Sequence, residues 1–172
     1  MFKQLYPSQR VESTYQIPFG EWRDRGIRGV IFDVDNTLVP HDAPADENAK
    51  KLFSHLKSLG MEACLVSNNK EPRVKAFAQT VGAWYVYKAG KPSVRGYEAA
   101  MKKMGTDRES TICVGDQIFT DIWGANRTGI YSILVNPINP REEIQIVLKR
   151  IPEKLVLYCY ERRLKKDRKK RG

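Results

Sequence analysis

Five short apolar runs, at 29–32, 62–66, 83–87, 111–114 and 131–135, are separated by stretches whose apolar residues recur every three or four positions. Ala49, Leu52, Phe53, Leu56 and Leu59 make one such stripe, Val74, Phe77, Ala78 and Val81 a second, and Val94, Tyr97, Met101 and Met104 a third. That spacing covers one side of a helix. Each stripe is followed by a glycine (Gly60, Gly82, Gly105), where a helix C-terminus takes a left-handed residue. Strands and helices that alternate over short connections pack as a parallel sheet, because parallel neighbours need crossovers and the crossover helices must bury their stripes. The pattern predicts an α/β domain in three layers, with the stripes as core faces rather than a cofactor box. A chain of 172 residues holds one such domain with short appendages.

Ligands of such sheets gather beyond the carboxyl ends of the strands, so the residue after each apolar run is a candidate. The first run leads into Asp33-Val34-Asp35-Asn36-Thr37. Residues two apart on a strand project the same way, so Asp33 and Asp35 leave the sheet toward one site. Two carboxylates that close repel each other and lose hydration, which is tolerated where a metal or a proton transfer uses them. The second run ends at Ser67-Asn68-Asn69, Lys91 precedes Pro92 and the third stripe, and the fourth run ends in Gly115-Asp116 with Asp121 five residues on. This set suits a divalent cation and a phosphoryl group. Mg2+ takes hard oxygen ligands, which Asp33, Asp116 and Asp121 would supply. With phosphate charge shielded, a carboxylate can attack phosphorus, so Asp33 is the candidate nucleophile of an aspartyl-phosphate route. Asp35 would protonate the leaving oxygen and then activate water. Ser67 would hydrogen-bond a phosphoryl oxygen, and Lys91, with Lys88 as competitor, would neutralise its charge. Plainer readings stand beside these: a solvated strand end, a turn or cap serine, a surface lysine, and for Asp121 a carboxylate on a helix N-terminus. His41 and His55 read as a loop and a helix-surface histidine without a catalytic part.

In this order, the four segments resemble the motifs of the haloacid dehalogenase-like (HAD) phosphohydrolases, over residues 29 to about 135. The resemblance implies a Rossmann-like three-layer sandwich with its sheet in order 3-2-1-4-5, Mg2+ dependence and hydrolysis of a phosphomonoester. It also implies a metal set of Asp33, Asp35, Asp116 and Asp121, with Asp35 contributing its backbone carbonyl rather than its side chain. Asn36, Thr37 and Asn68, interleaved with the motifs, are candidate substrate-binding residues. Aspartate two positions after the nucleophile separates phosphatases from dehalogenases, which lack that acid. More narrowly, the chain resembles the YqeG-type phosphatases of subfamily IIIA, and through them the phosphatidylglycerophosphate phosphatases. That likeness rests on size, on the irregular stretch before Gly29, and on Gly124-Ala125-Asn126-Arg127-Thr128-Gly129. A receiver-type signalling domain would need an aspartate ending the third run, where Trp84-Tyr85-Val86-Tyr87-Lys88 stands, and a dinucleotide binder would need glycines where Asp33 and Asp35 stand.

From Thr37 to Ser67, and again from Ser67 to Lys91, there is room for one helix and one strand, so no sizeable cap domain fits. An uncovered site encloses little of a small substrate. It suits a phosphate presented by something large, such as a lipid surface, or a lid supplied by a second copy; oligomeric state is left open. The net charge of +10 is uneven: residues 150–172 hold ten Lys/Arg and three Asp/Glu, leaving the rest nearly balanced. The expected division is an irregular segment at 1–28, the catalytic domain at 29–150, and a basic helical or disordered tail at 151–172. Within the last part of the chain, an amphipathic stretch at 143–150 should break at Pro152. Leu155, Val156, Leu157 and Tyr158 beside Arg162, Arg163, Lys165 and Lys166 could form an interfacial helix on anionic lipid. RNA contact is the alternative, extending to a non-enzymatic adaptor for RNA or a ribonucleoprotein, and a plain solvated end is the simplest reading. No apolar run approaches the roughly 20 residues of a membrane span, and Met1 to Pro7 lacks the apolar core of a secretory signal. Cys64 and Cys113 lie in apolar runs and read as buried free thiols, which fits a reducing cytoplasm, with peripheral membrane attachment through the tail.

Overall fold

The centre of the sheet is strand β2 (Gly29–Phe32), paired in parallel with β3 (Glu62–Val66) on one side and β5 (Thr111–Gly115) on the other. The sheet extends to β4 (Trp84–Val86) beyond β3, and through β6 (Tyr131–Val135) to β1 (Gln9–Val11) beyond β5. The structure, a computed structural model, describes residues 3–139 and 144–171, with side chains described at 3–139 and 152–167. All five predicted strands are present in the predicted order 3-2-1-4-5, in one all-parallel sheet. Strand β1 is an addition from the segment read as irregular, with Gln9, Arg10 and Val11 registered on Ile133, Leu134 and Val135. Three residues, two of them polar, are too few to show a period. Their strand state comes from the open edge of β6.

The helices α1 (Phe19–Asp24), α2 (Glu47–Ser58) and α3 (Glu71–Val81) share a core with one sheet face, where Val30, Phe32, Leu65, Ile112 and Val114 point. The other face carries Ile31, Cys64, Val66 and Cys113 against α4 (Val94–Met104) and α5 (Trp123–Thr128). Along β2 the side chains thus alternate into two cores, each fully buried large one stabilising by about 1.5–3 kcal/mol. The stripes are the buried faces of α2, α3 and α4, and Gly82 and Gly105 hold left-handed C-caps at φ 71° and 67°. Among the described residues no helix is long and apolar enough to cross a membrane.

After β6 the chain enters α6 (Ile144–Arg171), which continues through Pro152 where a break was expected. A proline inside a helix forfeits a hydrogen bond and clashes with the preceding turn. Anchoring just beyond it offsets that loss, since Glu153 and Val156 are both buried against the domain. The amphipathic pattern expected at 143–150 lies outside the described side chains.

Candidate active site

Strand β2 continues one residue further, the Asp33 N–H donating to Val114 O at 3.0 Å. The chain then folds back on itself. The amides of Thr37, Leu38 and Val39 all reach the Val34 carbonyl, and Asn36 sits at φ 63°, a left-handed position that asparagine tolerates better than most residues. The turn sets Thr37 Oγ1 3.3 Å from both Asp33 Oδ2 and Asp116 Oδ1, across the ends of β2 and β5. From the opposite side, Lys91 Nζ donates to Asp33 Oδ1 at 2.5 Å and to Asp121 Oδ1 at 2.7 Å, with its side chain only 5 % exposed. Asn68 holds this lysine in place: its Oδ1 accepts the Lys91 N–H at 2.7 Å and its Nδ2 donates to the Lys91 carbonyl. Lys88, the competing lysine, is exposed. Carboxylate oxygens of Asp33, Asp116 and Asp121 all lie within 4.8 Å of one another.

Asp121 reaches this cluster across a glycine. A Cβ built on Gly115 would stand 2.5 Å from the Asp121 Cγ and Oδ2. The Gln117 N–H fixes Oδ2 at 3.0 Å, and the Tyr97 hydroxyl lies 3.1 and 3.2 Å from the carbonyls of Thr120 and Asp121. Gly115→Ala should therefore expel the Asp121 carboxylate and loosen Lys91. We expect turnover to fall more than about 100-fold with the fold retained, because misplacement by an ångström is costly in a positioned site. Steady-state kinetics beside a far-UV spectrum checks this, and an active, well-folded variant would refute it.

Asp35 does not join the cluster. Its Oδ1 accepts from Arg73 Nη2 at 3.0 Å and from the Asp42 N–H at 2.9 Å, and Asn69 Nδ2 approaches Oδ2 at 3.4 Å. Burial would raise its pKa, but Arg73 and the Asp42 amide outweigh burial and hold it below the usual carboxylate range. For Asp33 the balance is reversed. Burial, assisted by Asp121, pushes its carboxyl up to about 6 even with Lys91 beside it. Burial alone would favour the neutral amine of Lys91, yet Asp121 and Asp33 outweigh it and raise the pKa above its ordinary value.

A cleft of about 420 Å³ opens on this arrangement, lined by Asp33, Asp35, Ser67, Asn68, Lys91 and Gln117 among others. Ser67 is buried there, and its Oγ accepts the Asn69 N–H at 3.1 Å, which leaves the hydroxyl hydrogen to donate elsewhere. Asn36 also lines the cleft, with Oδ1 accepting the Asn139 N–H at 3.3 Å. A larger hollow, about 630 Å³, lies at the amino ends of β3 and β4 and holds none of these residues. The sequence reading missed three residues that brace the site: Arg73 on Asp35, Tyr97 under Asp121, and Glu153, whose Oε1 accepts the Ile118 N–H at 2.9 Å. Tyr97 was visible only as a member of a core stripe, and nothing local marks the other two.

The family model described as haloacid dehalogenase-like hydrolase matches residues 40–129, a stretch holding Ser67, Lys91, Asp116 and Asp121. The chain belongs to that family. Among HAD-like relatives, the Bacillus subtilis (strain 168) protein named "Probable phosphatase YqeG" is 33 % identical over 165 residues, 95 % of this chain and 96 % of that one. The Arabidopsis thaliana phosphatidylglycerophosphate phosphatase 1, chloroplastic/mitochondrial, is 30 % identical over 175 residues; the match takes in 96 % of this chain and 50 % of that protein's length. The HAD-like fold is shared with a solved protein from Listeria monocytogenes serotype 4b, at TM-score 0.52 and 20 % identity over 76 % of this chain and 98 % of that one.

Proposed function

We propose that this HAD-like hydrolase is a Mg2+-dependent phosphatase that cleaves a phosphomonoester through an aspartyl-phosphate on Asp33, with phosphatidylglycerophosphate as its substrate. The observation that carries the catalytic part is the buried meeting of Asp33, Asp116, Asp121, Lys91 and Thr37 at the carboxyl ends of β2 and β5. The carboxylate oxygens of Asp33, Asp116 and Asp121, all within 4.8 Å of one another, are the hard donors that fit Mg2+. Asp33 and Asp116, with the Asp35 backbone carbonyl, are the residues that would hold the ion. Asp121 has one oxygen on Lys91 and the other on the Gln117 N–H, so we assign it to the edge of that shell and to the lysine. Bound there, Mg2+ would shield the phosphate charge that otherwise repels an attacking carboxylate.

The residues of the chain then divide the work. Asp33 attacks phosphorus, and the ester oxygen leaves with a proton from Asp35. Water with Asp35 as base then breaks the acyl phosphate and frees Asp33. At rest Asp35 is held as a carboxylate by Arg73, the form that takes a proton from water; to act first as an acid it must part from Arg73 and take up a proton, from solvent or from the monoprotonated phosphate ester. The Ser67 hydroxyl donates to a phosphoryl oxygen and Lys91 compensates the charge developing there. Asn36, Thr37 and Asn68 serve the substrate through what they fix: the turn after β2, the Asp33–Asp116 contact, and the Lys91 backbone. The lipid substrate is supported by the Arabidopsis relative's name and by the absence of any cap between Thr37 and Lys91 beyond α2, α3 and two strands.

The test is phosphate release from phosphatidylglycerophosphate in mixed micelles, with and without Mg2+. We expect metal-dependent turnover well above that on p-nitrophenyl phosphate, abolished by chelator. Turnover on the generic ester alone would remove the lipid assignment. No metal-dependent release from either would overturn the phosphatase reading.

A further inference from the structure

Helix α6 has two unlike faces over residues 152–167. The inner one holds Glu153 and Val156, buried with Ile118, Ile122 and Leu134. Farther along, the Tyr160 ring lies 5.5 Å from that of Tyr6, and Glu161 meets Arg10 at 3.1 Å. The outer face is a stripe at helical spacing, 155, 158, 162 and 165. On it Leu155 is 63 % and Tyr158 60 % exposed, with Lys154, Arg162, Lys165 and Lys166 exposed around them. The acids nearby are engaged elsewhere, Glu161 by Arg10 and Asp167 by Arg163, whereas those four cations pair with no acid among the described residues.

We propose that this outer face of α6 docks on an anionic phospholipid bilayer, Leu155 and Tyr158 entering the headgroup boundary between the cations. Two exposed apolar side chains running on into a basic stretch of the same face are what an interfacial helix presents. A nucleic acid would leave Leu155 unused, since its contacts are to phosphates and base edges. Glu153 joins the helix to the site: it accepts the N–H of Ile118, the neighbour of Gln117, which lines the cleft and fixes Asp121. Docking through α6 would hold the domain, with its uncovered cleft, at the surface that carries the phosphate.

The docking surface extends the lipid reading of the substrate, and vesicle binding, which needs no turnover, separates its failure from failure of the catalytic reading. The full chain is floated with vesicles of phosphatidylcholine containing about one third phosphatidylglycerol, and with phosphatidylcholine alone, near physiological salt where surface charge still acts. We expect flotation with the anionic vesicles only. Leu155→Ser/Tyr158→Ser and Arg162→Gln/Lys165→Gln should each lower binding about tenfold or more, with unchanged melting temperature and unchanged hydrolysis of p-nitrophenyl phosphate. Flotation of the full chain with neither vesicle, or equal flotation of both variants and the unaltered chain, overturns the proposal. So does retention on RNA that the Gln pair loses and the Ser pair keeps, which would give the face to nucleic acid instead.

Discussion

Asp33→Asn should stop turnover while leaving a protein at least as heat-stable, in chelator, as the unaltered chain. Loss of the attacking carboxylate removes the covalent route, and kcat should fall by more than about 10³-fold. The stability result follows from burial. Asp33 titrates at about 6 in the fold against 3.8 for the free side chain, so the fold prefers its neutral form at this position. The sign is that of a raised acid: folding takes up a proton between those values, and the contribution of Asp33 to stability grows as pH falls through 6 toward 3.8. Asparagine supplies a neutral group at every pH, so the gain should be seen at pH 7 and vanish near pH 4. Saturating Mg2+ should reverse the comparison. At about 100 times its dissociation constant it stabilises by roughly 2.7 kcal/mol, or about 5–10 °C for a chain this size, and the variant should gain less. Differential scanning fluorimetry across pH and Mg2+ measures both. A melting temperature well below that of the unaltered chain in chelator at pH 7 would mean that the Lys91–Asp33 pair outweighs the burial of its charge.

Lys91→Met should act in the opposite direction on stability and the same direction on activity. It leaves Asp33 and Asp121 buried beside Asp116 without their ammonium. Removing one partner of a buried pair costs about 3–5 kcal/mol, a fall in melting temperature of roughly 10 °C or more. Lowering the pH should restore part of it, because the buried Asp33 carboxyl, already raised to about 6, then takes up a proton. Adding Asp33→Asn to Lys91→Met should also recover part of the stability and none of the activity, since contacting residues do not add. A single Lys91→Met variant that melts with the unaltered chain would show that the carboxylates find another partner.

The gap between what was legible in the sequence and what was not follows the range of the interactions involved. Stripes such as Leu52, Phe53 and Leu56, and the glycines after them, are local signals, and they placed α2, α3, α4 and the central strands. Edge strand β1 has no such signal; the open side of β6 makes Gln9–Val11 a strand. Pro152 is a local signal that misleads, because a buried Glu153 and Val156 on its far side decide the matter.

The same division runs through the site. By itself the sequence determined that the strands are parallel, that Asp33, Ser67 and Asp116 stand at their carboxyl ends, and that acids, a hydroxyl and a lysine gather there, because periodicity and strand-end position are properties of neighbouring residues. Only the tertiary structure decided which acid faces which base. Lys91 lies between Asp33 and Asp121, while Asp35 turns to Arg73, 38 residues away in the chain. Asn68 takes the backbone of Lys91, and Glu153 reaches Ile118 from 35 residues beyond. Such pairings are set by how the helices pack on the sheet, and a charge buried by that packing takes whichever partner the packing brings within hydrogen-bonding distance.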